Sequence, residues 1–360
     1  MREHRGKILR LQPNRVWRTY PGGRNLDCME GRTQPADGSF PEDWLGSTVR
    51  AINPGHEDKN EGLSLVNVDG KPLFLVDLIA ADPEYFLGAR HLSAFGMNPM
   101  VLVKYLDSAV RLPIQVHPTI PFSERYLNAS CGKTEAYYIL STRPEVAEPF
   151  IYLGFQRAPV RQQLRCMIQE QDIVAMEHCF DKIPVKPGDV YLVPGGLPHA
   201  IGAGVLMVEV MEPTDFVARV EFNVNGRMIP EPSRFMGRDL DFALEMFSLE
   251  SFPVKAVEER WRCKAQILEE DSILRRESLV DERLTDRFRV ARTIIHGQRQ
   301  LRIRGYTILL VVEGCCTVST DTEKVHLSTY DRVVIPHGLG VLEIESVAGA
   351  TVLECNPPES

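Results

Sequence analysis

At 360 residues the chain is longer than one small core fills, so two core-bearing units are expected. Its formal net charge is −8, with 41 Lys and Arg against 49 Asp and Glu and no basic run, which argues against a nucleic-acid or membrane-surface partner. The charged N-terminus MREHRGKILRLQPNR lacks an export core, and no apolar run approaches the ~20 residues of a membrane helix, so a cytoplasmic protein with reduced thiols is expected.

Residues 1–60, rich in Gly, Pro, Asn and Asp, read as loops around short strands, with Trp17 and Trp44 as core residues. FLVDLIAADPEYFLGARH (74–91) reads as a strand or buried stretch leading into a short helix. MVLVKYLDS (100–108), RLPIQVHP (111–118), TEAYYIL (134–140) and FIYLGF (150–155) have the composition of strands. RQQLRCMIQEQDIVAMEHCF (161–180) carries apolar residues at helical spacing and predicts one or two helices. DVYLVP, GVLMVEVM and FVARVEFNV return to strands, and DLDFALEMF (239–247) reads as a helix. From about Val254 the pattern is β to the end, with turn signals every eight to twelve residues, as in a sandwich or barrel. The eight cysteines (Cys28, Cys131, Cys166, Cys179, Cys263, Cys315, Cys316 and Cys355) form no CxxC pair, and are expected to be buried, inert thiols.

Three segments carry chemistry. In Gln115-Val116-His117, strand alternation points the outer two side chains into one cavity. Gly132-Lys133-Thr134-Glu135 opens the next strand. GDVYLVPGGLPH (188–199) ends a strand in a Pro-Gly-Gly turn and delivers His199. Two imidazoles, a carboxylate and an amide oxygen suit a divalent ion of the zinc type with room left for substrate.

The spacing Gly188, Pro194, Gly196, His199 matches the second cupin motif, although its usual later Asn is Ala203. LVKYLDSAVRLPIQVHP, GKTEAYYIL and VKPGDVYLVPGGLPHAIGAGVLMVEVMEPTDFVARV resemble the class I mannose-6-phosphate isomerases, over roughly residues 15–250. The resemblance implies a mainly β fold of tandem cupin (jelly-roll) domains with short inserted helices: a catalytic domain over 1–253 and a second cupin-like domain over 254–360. It implies Gln115, His117, Glu135 and His199 as ligands of one divalent ion, usually zinc. It links Arg219 to catalysis, places Lys133 and Lys104 on the substrate pocket, and puts the acidic Glu209 near the site. Arg219, Lys133 and Glu209 are the candidates for catalysis, and Lys104, Lys133 and Arg219 for substrate binding. Each has a plainer reading: Arg219 as an ion-pair partner of Asp215, Lys133 as solvated, Lys104 and Glu209 as structural.

The implied reaction interconverts mannose 6-phosphate and fructose 6-phosphate through a cis-enediol, with a small sugar phosphate as the partner molecule. Two departures bear on the sugar. Pro113 stands where the family often has Ser, and VEFNVNGR follows Arg219 where shorter members have an aromatic-aspartate stretch. Isomerisation of a different sugar, or sugar binding without turnover, are the alternatives. In the C-terminal repeat, Tyr330, Pro336 and Gly338 keep the motif register, but Val341 replaces the histidine, and His326 and His337 do not rebuild a ligand set. The oligomeric state is not set by these patterns.

Overall fold

The computed structural model of the chain describes residues 4–53 and 60–359, and strands dominate it. Two antiparallel sheets face each other in the first unit. One runs Val190–Val193, Glu135–Thr142, Val205–Met211, Leu102–Asp107, Glu42–Leu45, Arg15–Val16. The other runs Ile183–Pro184, Phe150–Leu153, His199–Ile201, Gln115–Val116, Ala218–Arg219. Between them lies an apolar cluster that includes Leu106, Ile139, Ile151, Leu153, Val193, Ile201 and Met207.

The outer face of the six-stranded sheet is buried as well. Val103, Tyr105, Ala136, Tyr138, Val208 and Val210 pack with Ile308, Leu310, Leu353 and Cys355 of the C-terminal sheet. Burial on both faces explains why 102–107 and 205–211 read as nearly unbroken apolar runs rather than alternations. Each fully buried aliphatic side chain contributes about 1.5–3 kcal/mol, so this shared core joins the two sheets firmly.

The C-terminal sheet runs Leu9–Arg10, Arg332–Ile335, Thr307–Ser319, Val341–Asn356, Arg289–Arg302, Leu274–Val280, Gln266–Glu270, with Lys324–Ser328 beside Thr307–Ser319. Its long strands bend at bulges. Arg289–Arg302 pairs with 350–356 before Gly297 and with 341–346 after it, and Gly297 has φ +133°, which only glycine adopts readily. The bend folds the sheet over a second apolar cluster containing Ile295, Leu309, Val318, Leu342 and Val352.

Three expectations change. Only Phe74 of the 74–91 stretch is strand; the rest forms the helices Leu75–Ala81 and Pro83–Leu87 and the start of Ala89–Phe95, because Leu75, Leu78 and Ile79 make a helical stripe and Pro83 restarts a helix at its first position. Val254–Trp261 is a helix, not the first β segment. It buries Val257, and Trp261 packs edge-on to Phe252 at 4.9 Å, so it covers the core of the first unit. The cysteines are not all buried: Cys28 and Cys166 are exposed and Cys315 is half-buried, and all eight are free thiols. The predicted helical region 161–180 holds Arg161–Glu170 and Ile173–His178, and 239–247 holds Leu240–Leu244. Trp44 is fully buried. No helix among the described residues is long and apolar enough to cross a membrane.

Candidate metal centre

Cross-strand register assembles the site. In the five-stranded sheet Leu153, His199, Gln115 and Arg219 stand side by side on four adjacent strands. On the facing sheet a second line runs Tyr191, Tyr137, Glu209, Lys104, Trp44, with Glu135 one inward position from Tyr137. Because side chains alternate across a strand, these polar groups all enter the gap between the sheets. His117 follows the Gln115–Val116 strand and enters the same gap.

His117, Glu135 and His199 each offer a donor atom, and these atoms lie within 4.8 Å of one another. Glu135 Oε1 is 3.1 Å from His117 Nε2, and Oε2 is 3.8 Å from His199 Nε2. Each ring donates Nδ1–H to a backbone carbonyl: His117 to Phe216 at 2.8 Å, His199 to Leu197 at 2.9 Å. Those bonds leave both Nε2 lone pairs facing the centre, the arrangement that metal-binding histidines need. Burial pushes His117 down to about 3 and lowers His199, so both rings are neutral near pH 7. Burial works to raise Glu135, but His117 and Lys133 outweigh it and hold the carboxyl well below its ordinary range. Two neutral imidazoles and a carboxylate, all about 1% exposed, therefore fit a divalent cation. Gln115 Nε2 lies 3.3 Å from His199 Nε2, and a half-turn of its amide presents the oxygen instead. Among the described residues, His326, His337 and Val341 contribute to no such group, and Val341 is exposed.

The proposed substrate-side residues reach the same cleft. Lys133 Nζ is 3.1 Å from Glu135 Oε1 and 3.3 Å from His117 Nε2, so it is buried rather than solvated. Lys104 does not extend to solvent: it is 2% exposed and pairs with Glu209 at 3.0 Å. Burial, aided by the nearby Glu135 charge, pushes the Glu209 carboxyl up to about 7 against the pull of Lys104. Arg219 is half-buried and donates to the Ser233 carbonyl at 2.8 Å. Asp215 pairs instead with Arg18 at 3.0 Å, and no described ion pair includes Arg219. Burial, with Arg18 close by, lowers the Arg219 pKa.

Sequence reasoning missed the floor of this cleft. Arg18 donates Nε to Glu42 at 3.0 Å and grips Asp215 with its two terminal nitrogens at 3.0 and 3.3 Å. Tyr20 donates to Glu42 at 2.6 Å and the Trp44 indole donates to it at 2.7 Å. The available signal was alternation: Arg18 and Tyr20 are two apart, as are Glu42 and Trp44. Pro113, Leu106, Leu112, Ile201 and Val217 form the apolar wall.

No protein-family model matches the chain. It is 25% identical over 257 residues to the mannose-6-phosphate isomerase ManA of Bacillus subtilis, covering 70% of this chain and 74% of that one. It is 37% identical over 138 residues to the mannose-6-phosphate isomerase of Streptococcus mutans, covering 37% of this chain and 41% of that one. A crystal structure of the mannose 6-phosphate isomerase from Bacillus subtilis superimposes with a TM-score of 0.73 at 22% identity, over 97% of this chain and 99% of that one. The sequence likeness to mannose-6-phosphate isomerases reaches across most of the chain, and the fold is shared with that Bacillus subtilis structure almost from end to end.

Proposed function

We propose that the chain interconverts mannose 6-phosphate and fructose 6-phosphate through a cis-enediol, as a cytoplasmic enzyme using one zinc ion. The observation that supports this most is the convergence of His117, Glu135 and His199 at one end of a cleft lined by Lys104, Lys133, Glu209 and Arg219. Gln115, beside His199, completes the ligand set. When bound, the ion supplies Lewis acidity toward neighbouring substrate oxygens.

The chain's own groups divide the remaining work. Arg219 stands next to Gln115 in register and is not neutralised by a paired carboxylate, so its charge is available to an oxygen that becomes negative. Glu209, titrating near neutrality, is suited to carry the proton between C1 and C2, where such acid–base help is worth about 10²–10⁴ in rate. Lys104 orients Glu209, and Lys133 adds positive charge beside Glu135. The wall of Leu106, Leu112, Pro113, Ile201 and Val217 keeps water from the carbon-bound face of the sugar. A coupled assay with mannose 6-phosphate, with and without chelator, tests the reading. Chelator-sensitive turnover is expected. Turnover confined to another sugar, or binding without turnover, would contradict it.

A further inference from the structure

Glu135 has two oxygens with different surroundings. Oε1 faces His117 Nε2 and Lys133 Nζ, both at 3.1 Å. Oε2 accepts a hydrogen bond from the Tyr137 hydroxyl at 2.7 Å. Tyr137 is two residues along the same strand, so its ring lies on the same face as Glu135, and it is 1% exposed. An ionised carboxylate only accepts, so the phenol is the donor, and the bond has the short length of a charge-assisted one. The ring is clamped by its neighbours: Tyr191 and Glu209 flank it in register, and it belongs to the apolar cluster between the sheets. Packing fixes the ring, and the ring fixes the carboxylate.

We infer that Tyr137 is a positioning residue for the metal centre: by holding Oε2 it makes Glu135 a one-oxygen ligand through Oε1 and keeps coordination positions free for two substrate oxygens. This rests on the metal-dependent reading above. Outer partners of this type usually contribute about 10–100-fold in metal affinity, because a ligand free to rotate must be ordered by the ion itself. A hydroxyl-deleted variant keeps the ring and its packing and removes this one bond.

The test compares wild type, Tyr137→Phe and Tyr20→Phe by competition for Zn²⁺ with a chromophoric chelator. Thermal melts of the metal-stripped proteins run in parallel. Tyr20 is the matched control, since its hydroxyl also donates to a buried carboxylate, Glu42, which is not a ligand. Tyr137→Phe should bind Zn²⁺ about 10–100-fold more weakly, and its Co²⁺ form should show an altered visible spectrum. Tyr20→Phe should keep wild-type Zn²⁺ affinity. Equal affinity and equal Co²⁺ spectra in wild type and Tyr137→Phe would overturn the inference and leave the centre intact. An equal loss in both variants would also overturn it, by showing a general packing effect. Absence of competitive Zn²⁺ binding in the wild type would overturn the metal centre itself.

Discussion

Replacing Arg18 with Met removes a charge while keeping most of the side-chain volume, and the structure sets the size of the effect. Arg18, Glu42 and Asp215 have side chains only 4–5% exposed. The guanidinium makes four bonds, to Glu42, twice to Asp215, and to Asn53 at 3.0 Å, and it lies 5.2 Å over the Trp44 ring. Without it two buried carboxylates lose their principal counter-charge. Breaking a buried pair in this way costs about 3–5 kcal/mol, far more than the ~0–1 kcal/mol of a surface pair. The loss should depend on pH. Burial works to raise Glu42, but Arg18 and Lys104 outweigh it and hold the carboxyl below its ordinary value. The stability Glu42 contributes is therefore full above its unfolded value of about 4.3 and is lost as pH falls toward its folded value. Guanidinium unfolding at pH 7.5 should show the full deficit, and the gap between wild type and Arg18→Met should narrow below about pH 4.3. A deficit under about 1 kcal/mol at pH 7.5, or one that does not vary with pH, would refute the view that this arginine neutralises the floor.

Other outcomes follow from single contacts. Arg219→Ala should lower kcat on the order of 10²–10³-fold with metal content unchanged, checked by steady-state kinetics and metal analysis together; an unchanged kcat would remove Arg219 from the reaction. Gly46 has φ +63°, and a Cβ there would lie 2.6 Å from Ile308 Cδ1 at the junction of the two units. Gly46→Ala should cost at least about 1–3 kcal/mol in thermal or denaturant unfolding, and a melt like wild type would show that the junction yields.

The candidate ligands were legible because strand alternation and turn chemistry are local. Gln115 and His117 share a face by spacing alone, and the Pro-Gly-Gly turn marks where His199 emerges. What could not be read was which strands lie side by side. Arg18 meets Asp215 across 197 positions, and Lys104 meets Glu209 across 105, so each pairing depends on the tertiary fold rather than on neighbours in sequence. The plainer reading of Arg219, as a partner for Asp215, rested on their closeness in the chain, yet Arg18 from a distant segment takes that carboxylate. The Val254–Trp261 helix was missed for a different reason. Its stripe of Val254, Val257 and Trp261 is short and stands directly before a long β region, so the stronger downstream pattern masked a helical period that Pro253 introduces.

The proposed reaction requires one cation gripped by His117, Glu135 and His199. Metal analysis of purified wild type beside His199→Ala, after dialysis against trace metal, addresses that directly. Wild type should retain one divalent ion per chain, and His199→Ala should retain almost none while its far-ultraviolet circular dichroism stays β-type. Equal metal content in the two proteins would contradict the account.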